Sequence, residues 1–235
     1  MKIALIGYGK MGKSIEKIAK QKGLSIVYTT NRSIEIEKLK QAEVAIEFSV
    51  PEAAYRNIST CLNNQVPVVC GTTGWLDHMG DVAELVKANA SKFLYASNFS
   101  IGVNIFFKLN TVLAKLMNTQ SNYSIDIEEI HHTEKKDAPS GTAISLAEQI
   151  IDQSKFTSWS YPVTKTEYSI PIAARREAKV HGTHIINYKS AIDTISITHE
   201  AHSREGFAEG AILAAEWLVK QSDSGVYSMS DVLKL

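Results

Sequence analysis

Cysteine, net charge and long apolar runs are all scarce in this 235-residue chain, and each scarcity excludes a class of protein. Only Cys61 and Cys70 occur, too few for a disulfide framework or a zinc knuckle and typical of core thiols in a reducing compartment. The 25 basic residues balance 25 acidic ones at a pI near 7.1, so no charged surface for nucleic acid or membrane is expected. No apolar run approaches the ~20 residues of a membrane span, and Met1 leads directly into a strand without a signal peptide. We therefore expect a cytoplasmic protein with no metal site, no nucleic-acid partner and no membrane partner.

The chain opens with the pattern of a strand, a glycine turn and a helix. A short apolar run ends at Ile6, the glycine turn follows, and apolar residues then recur at helical spacing. In such a unit the first glycine permits a tight turn, the second lets the backbone approach a pyrophosphate, and the third lets the helix pack on the strand. The sequence therefore predicts a dinucleotide site, with a bare structural turn as the alternative. Its predicted cofactor-binding residues are Gly7, Tyr8, Gly9, Lys10, Met11 and Gly12.

The end of the second strand departs from the simplest pattern for NAD binding. An acidic residue that hydrogen-bonds the ribose 2′-hydroxyl is expected there, but the chain reads Thr29-Thr30-Asn31-Arg32. Arg32 and the small hydroxyls can accommodate a 2′-phosphate, which favours NADPH. The alternative is that Arg32 is a solvated loop charge.

The first hundred residues alternate strands with helices, which predicts an α/β domain with a Rossmann-like, doubly wound parallel sheet. Ligands of such sheets bind beyond the carboxyl ends of the strands. Besides the glycine turn, two loops meet that description: Gly71-Thr72-Thr73-Gly74 and Ser97-Asn98-Phe99-Ser100. Gly71 allows close backbone approach and the threonines offer hydroxyls, although an ordinary tight turn fits the first loop as well.

After Gly102 the pattern changes to that of an α+β domain. An apolar helix from Val103 to about Met117 leads to a strand with one buried face, and two more strands are predicted near 179–189 and 192–199. Such an open mixed sheet needs a cover on both faces, so we expect helices on one side and a second subunit on the other. A helix over 205–220 and a short apolar tail return to the first domain. The expected domains are 1–102 with 206–235 for the dinucleotide, and 103–205 for substrate binding and oligomerisation.

The loop from His131 to Thr142 concentrates acid–base and anion-binding side chains. His131 and His132 can exchange protons near neutral pH, and Lys135 offers a cation or a second proton donor. Ser140-Gly141-Thr142 then predicts a capped helix N-terminus with open backbone amides, which binds a carboxylate. The alternative is structural: two histidines that end a strand, a solvated lysine turn and a serine that only caps.

These motifs together resemble the 4-hydroxy-tetrahydrodipicolinate reductase family, also called dihydrodipicolinate reductase, over nearly the whole length. The resemblance rests on the glycine turn, the Gly-Thr-Thr-Gly loop and the run from Asn98 to Asn104. It also includes Glu47-Phe48-Ser49, where the family usually has Asp-Phe-Thr. The most specific string is His131-His132 followed by Lys135 and Asp137-Ala138-Pro139-Ser140-Gly141-Thr142-Ala143.

The resemblance implies an oxidoreductase of lysine and diaminopimelate biosynthesis that uses NADPH or NADH and works as a homotetramer. It reduces dihydrodipicolinate, formed when the hydroxylated substrate loses water, to tetrahydrodipicolinate. His131 resembles the family's proton donor or acceptor and Lys135 its second proton donor. His132 and the Gly141-Thr142 backbone resemble the clamp on a substrate carboxylate. The loops that resemble the nicotinamide contacts contain Gly71, Thr72, Thr73, Ala96, Ser97, Asn98 and Phe99.

Two departures and two alternatives remain open. Ala178 replaces a glycine of the family's Arg-x-Gly-x-x-x-Gly-x-His run, which restricts the backbone conformations of that loop. Arg204 either neutralises a ligand or caps the structure. Another two-domain dehydrogenase would share the glycine turn and the mixed sheet. A nicotinamide-sensing regulator without chemistry would share the fold as well, since fold does not fix function.

Overall fold

The architecture was obtained as a computed structural model that describes residues 1–164, 166–203 and 205–235. In the first part of the chain the elements are β1 (Lys2–Ile6), α1 (Lys10–Gln21), β2 (Ser25–Thr30), α2 (Ile36–Leu39), β3 (Val44–Glu47), α3 (Pro51–Asn63), β4 (Val68–Cys70), α4 (Met79–Ala88) and β5 (Lys92–Tyr95). They are followed by α5 (Ile101–Met117), β6 (Ser124–His131), α6 (Gly141–Gln153), β7 (Ser158–Ser160), β8 (Ser169–Arg176), β9 (Thr183–Lys189) and β10 (Thr194–Glu200). The chain ends with α7 (Glu205–Lys220), β11 (Gly225–Tyr227) and α8 (Met229–Leu233).

The chain divides into two units. Unit 1 comprises Met1–Ile101 and Glu205–Leu235, and unit 2 comprises Gly102–Arg204. Arg204 itself lies outside the described residues, so its sequence-based role stays a prediction. No helix in the described part of the chain is both long and apolar enough to cross a membrane.

Unit 1 contains the predicted parallel sheet, in the strand order β11-β5-β4-β3-β1-β2. Its central strands are apolar on both faces because helices cover both sides, and every residue of β3 is buried. All its strand pairings are parallel, so the loops after β1, β3, β4 and β5 emerge at one edge. Cys61 and Cys70 are buried and free in this core, as the sequence predicted.

Small residues let α7 pack closely against the rest of unit 1. Ala208, Ala211 and Ala214 are fully buried, and a Cβ at Gly210 would lie 1.8 Å from the Phe99 carbonyl oxygen. Only glycine permits that approach. This contact joins the C-terminal segment of unit 1 to the loop after β5.

Unit 2 contains a mixed sheet in the order β10-β9-β6-β8-β7. Strand β6 runs antiparallel to β9 and parallel to β8. Its alternating pattern buries Ile125, Ile127, Glu129 and His131 on the face that α5 and α6 cover. The predicted fold class is thereby confirmed, although the sequence pattern alone did not predict β7, β8 and β11.

Candidate active site

The three glycines of the first turn occupy positions that differ in what surrounds them. Gly7 has φ +90°, and a Cβ there would lie 2.0 Å from the Phe48 carbonyl oxygen. A Cβ at Gly12 would lie 2.6 Å from the Gly7 carbonyl oxygen, whereas a Cβ at Gly9 would meet nothing within 4 Å. Gly7 and Gly12 are therefore required by the chain's own packing. Gly9 leaves space for a ligand.

The glycine turn is tied to the end of β2 by Asn31. The Asn31 side chain accepts a hydrogen bond from the Tyr8 amide and donates one to the Tyr8 carbonyl. The Tyr8 hydroxyl donates to Glu16 on α1. Tyr8 is therefore held by the protein itself, and the amides of the first turn of α1 are the better candidates for contact with a phosphate.

A cavity of about 370 Å³ lies beside this turn, at the carboxyl ends of β1, β2 and β3. Its charged lining residues are Arg32 and Arg56, and no carboxylate lines it among the described residues. Arg56 projects from α3 and was not predicted from the sequence. Two guanidinium groups without an acid make this cavity suited to an anion, and the 2′-phosphate of NADPH is such a group.

A second cavity of about 400 Å³ joins the glycine turn to the Gly-Thr-Thr-Gly loop. The predicted residues that line it are Gly9, Lys10, Met11, Gly71, Thr72 and Thr73. Gly71 lies against the Phe48 ring, where a Cβ would be 2.2 Å from the nearest ring carbon. Thr72 donates a 2.6 Å hydrogen bond to the buried Glu47 and accepts one of 2.8 Å from the Ser49 amide, which joins the loops after β3 and β4.

The loop after β5 is partly structural. Phe99 is 2% exposed, and its ring centroid lies 5.6 Å from that of Phe48. Ala96 is also buried, while Ser97 is exposed and Asn98 accepts a hydrogen bond from the Ser100 amide. None of these four predicted residues lines either of the two cavities described above. Their contact with a cofactor stays a prediction.

In unit 2 a cluster of charged and polar side chains surrounds His131. His131 Nδ1 lies 3.0 Å from Glu129 Oε2, two residues earlier on the same face of β6. Arg176 donates to Glu129 Oε1 at 3.0 Å from the neighbouring strand β8. His184, on β9, places Nε2 3.1 Å from the Ser140 hydroxyl and 4.0 Å from Glu129 Oε2. Three strands and the start of α6 therefore meet at one buried site.

The surroundings of Glu129 and His184 lower the pKa values of both side chains. Burial opposes ionisation of the Glu129 carboxyl, but interactions with His131, Ser140 and Arg176 outweigh it and lower the pKa to about 2. Burial, reinforced by the nearby charge of His131, lowers the pKa of His184 to about 3. At neutral pH Glu129 is ionised and His184 is neutral.

The loop that carries Lys135 is tied to the same cluster. Lys135 Nζ lies 2.7 Å from an Asp137 carboxylate oxygen, and this bond lowers the Asp137 pKa. Arg176 donates to the Lys135 carbonyl at 3.3 Å and to the Asp137 carbonyl at 2.6 Å. The Lys135 side chain is 22% exposed and can therefore reach a ligand. His132, the next residue after His131, is half-buried.

The N-terminus of α6 has the predicted form. Ser140 is the N-cap, and its hydroxyl accepts a hydrogen bond from the Ala143 amide. A Cβ at Gly141 would meet nothing within 4 Å, and Gly141 is exposed. The amides of Gly141 and Thr142 therefore lie in the first turn of the helix, where an anion is stabilised.

Glu129, His131 and His184 also place donor atoms within 4.8 Å of one another, a spacing that could hold a metal ion. The Arg176 guanidinium already neutralises Glu129 at 3.0 Å. Arg176 therefore already occupies Oε1 of this carboxylate, and His131 resembles the family's proton donor, so we assign the cluster to proton chemistry rather than to metal binding.

In the loop that contains Ala178, the residue with the left-handed backbone conformation is not Ala178 itself. Lys179 adopts φ +68°, so the left-handed conformation falls one residue after Ala178. Gly182 faces His131, and a Cβ there would lie 3.0 Å from His131 Nε2. The Gly182 of the family run is thus the glycine that leaves room for the histidine.

Each of the two parts of the chain matches a known protein family model. Residues 1–99 match the family model for the N-terminus of dihydrodipicolinate reductase, and residues 102–233 match the model for its C-terminus. A 4-hydroxy-tetrahydrodipicolinate reductase from Christiangramia forsetii is 52% identical over 99% of this chain and 98% of the relative. One from Methanosarcina acetivorans is 35% identical over 99% of this chain and 89% of the relative. The fold matches dipicolinate-bound dihydrodipicolinate reductase from Paenisporosarcina sp. TG-14, with a TM-score of 0.82, 21% identity and 97% coverage of both chains. The chain belongs to the dihydrodipicolinate reductase family.

Proposed function

We propose that the family's reaction, the NAD(P)H-dependent reduction of 4-hydroxy-tetrahydrodipicolinate in lysine biosynthesis, is carried out here with His131 and Lys135 as proton donors. The observation that supports this assignment is the cluster in unit 2, where His131 lies 3.0 Å from an ionised, fully buried carboxylate. A histidine oriented by a buried carboxylate can pass a proton to a substrate.

The substrate is a small dicarboxylate, and the start of α6 is suited to one of its carboxylates. The Gly141 and Thr142 amides offer hydrogen bonds at the positive end of the helix dipole, and His132 lies on the same loop. The structural relative from Paenisporosarcina is described as dipicolinate-bound, which supports a ligand of this class. In this arrangement Lys135 supplies a positive charge and a second proton.

The reduced nicotinamide supplies the hydride when the cofactor is bound to unit 1. The residues present fit such a cofactor, because Gly9 leaves open space and the two cavities follow the carboxyl ends of the strands. Lys10, Met11 and Gly12 would hold the pyrophosphate through the first turn of α1. Gly71, Thr72 and Thr73 would line the path towards the nicotinamide. Arg32 and Arg56 favour NADPH over NADH.

The second face of the unit 2 sheet supports assembly into an oligomer, a tetramer by resemblance. Ile130 and Ile185 lie on this face and are only half-buried, although they belong to the central strands β6 and β9. Burying this face against another copy would remove apolar surface from water. Analytical ultracentrifugation of the wild type and Ile185→Lys tests the idea, because a charge on the contact face should shift the oligomer towards smaller species. We also propose a cytoplasmic location, which the two free cysteines support.

The activity is tested by mixing the protein with NADPH and freshly generated 4-hydroxy-tetrahydrodipicolinate and following the loss of NADPH absorbance. His131→Gln and Lys135→Ala should each lower kcat by roughly 10²–10⁴-fold, the usual contribution of positioned acid–base groups, while cofactor affinity stays unchanged. Lys136→Ala, in the adjacent position of the same loop, is the matched control and should retain turnover. Near-native turnover in both His131→Gln and Lys135→Ala would contradict the assignment. Absence of NADPH consumption by the wild type would favour the sensor alternative.

A further inference from the structure

Glu129 is a fully buried acid whose two carboxylate oxygens have separate partners. It is 0% exposed, yet its carboxyl stays ionised because Arg176 and His131 lie on either side of it. Oε1 accepts from Arg176 at 3.0 Å, and Oε2 lies 3.0 Å from His131 Nδ1. Neither Oε2 nor Nδ1 makes a well-aligned hydrogen bond within the described ranges, and His184 Nε2 lies farther from Oε2, at 4.0 Å. His131 Nδ1 is therefore the ring nitrogen that lies closest to the Glu129 carboxylate.

This arrangement selects one nitrogen of His131 for proton transfer. A hydrogen on Nδ1 faces the negative Oε2, so the proton that leaves the doubly protonated ring is the one on Nε2. Nε2 points towards Gly182, which has no side chain to cover it. The ring therefore gives up its Nε2 proton and keeps its Nδ1 proton.

Arg176 connects the acid to the loop that carries Lys135. Strand pairing places Arg176 directly beside His131, and its guanidinium reaches Glu129 and the carbonyls of Lys135 and Asp137. Arginine has five N–H donors in a rigid planar fork, so one side chain can hold all three acceptors at once. A lysine can carry the same charge but cannot reproduce this geometry.

We propose that Glu129 and Arg176 are positioning residues of the reductase reaction: Glu129 fixes the tautomer and orientation of His131, and Arg176 holds Glu129 and the Lys135 loop in register. The proposal rests on the proposed function, in which His131 and Lys135 deliver protons. It assigns no contact with the substrate to Glu129 or Arg176.

The chain provides a matched control pair on the same two strands. Glu128 and Arg175 are the neighbouring residues, and they form an ion pair of 2.8 Å. Because successive residues of a strand point to opposite faces, this pair lies on the face away from His131. Glu128→Gln and Arg175→Lys therefore make the same chemical changes in the same strands without touching the cluster. The elution volume of each variant shows whether assembly has changed.

Steady-state kinetics of the four variants test the proposal. Glu129→Gln and Arg176→Lys should lower kcat by about 10–100-fold, the usual effect of losing a group that orients a reacting histidine, while the Kd for NADPH changes less than twofold. Glu128→Gln and Arg175→Lys should retain kcat within about twofold of the wild type. The proposal is overturned if Glu129→Gln retains wild-type kcat, or if the control pair loses as much activity as the cluster pair.

A spectroscopic measurement remains informative even if a cluster variant fails to fold. In the ¹⁵N-histidine NMR spectrum of the wild-type protein, neutral His131 should carry its hydrogen on Nδ1. A hydrogen on Nε2 would overturn the proposal. The outcomes also separate it from the proposed function: loss of turnover in His131→Gln with full turnover in Glu129→Gln refutes the positioning role alone. Full turnover in His131→Gln refutes the proton assignment itself.

Discussion

The buried His184 should make the stability of the protein strongly dependent on pH. Its pKa is lowered from 6.5 to about 3 in the native state because burial and the charge of His131 oppose protonation. In the unfolded chain the same imidazole takes up a proton near its ordinary value of 6.5. Between these values the unfolded state binds one more proton than the native state, so stability is fully present above about pH 6.5 and is lost as the pH falls towards 3.

The magnitude follows from the size of the shift. Each pH unit within the window costs about 1.4 kcal/mol, and lowering the pH from 6.5 to 4.5 removes about 2 kcal/mol of unfolding free energy. Glu129 sets the lowest pH at which this comparison is useful. Its pKa is lowered from 4.5 to about 2 in the native state, so below pH 4.5 it adds its own loss of unfolding free energy. Restricting the measurement to pH 4.5–6.5 therefore avoids most of the Glu129 contribution. Comparison with His184→Gln removes the contribution of His199, whose pKa is also lowered by burial.

Urea unfolding at a fixed protein concentration, repeated across this pH range, provides the measurement. The free energy of unfolding of the wild type should fall about 2 kcal/mol further than that of His184→Gln. His78→Gln controls for the removal of a histidine, because the His78 side chain is 52% exposed and outside the cluster. Because the comparison uses slopes, a constant destabilisation of His184→Gln does not affect it. Parallel curves for the wild type and His184→Gln would refute the reasoning.

Two further predictions concern unit 1. Arg32→Ala and Arg56→Ala should each raise the Kd for NADPH about tenfold, because each removes a charge-assisted contact with the 2′-phosphate, and should leave the Kd for NADH nearly unchanged; equal effects on both cofactors in fluorescence titrations would contradict this. Gly210→Ala should lower the unfolding free energy by about 3 kcal/mol, since its Cβ would lie 1.8 Å from the Phe99 carbonyl oxygen. Gly206→Ala on the same helix, where the nearest atom is 3.9 Å away, should have little effect, and similar denaturation midpoints for the two variants would show that the packing argument is wrong.

Local patterns were sufficient to predict the parallel sheet and the positions of the glycine loops. The glycine turn depends on residues close in sequence, and the structure shows that Gly7 and Gly12 are confined by nearby backbone. The Ser140 cap was predictable for the same reason, because its hydroxyl bonds an amide three residues later.

The rest of the candidate site depends on strand pairing across long stretches of sequence. Arg176 reaches Glu129 across 47 residues, and His184 reaches Ser140 across 44. No local pattern predicts which distant strand lies beside β6, so the partners of His131 remained undetected. Glu129 is the one partner of His131 that a local pattern could have predicted. Residues two apart on a strand share a face, so Glu129 lies on the same face of β6 as His131. A charged residue on an otherwise apolar face was the available signal.

The interrupted sequence of unit 1 determines when each half of the protein can fold during synthesis. Unit 2 is one continuous segment, whereas unit 1 needs α7 and β11 from the end of the chain, and β11 pairs with β5 at the edge of the sheet. Because chains emerge from the ribosome N-terminus first, all the strands of the unit 2 sheet are synthesised before the last strand of unit 1. The nucleotide unit therefore stays incomplete, with the apolar surface for α7 uncovered, until translation is nearly finished. A translation product that stops before residue 205 would contain the acid–base cluster without a finished site for the cofactor.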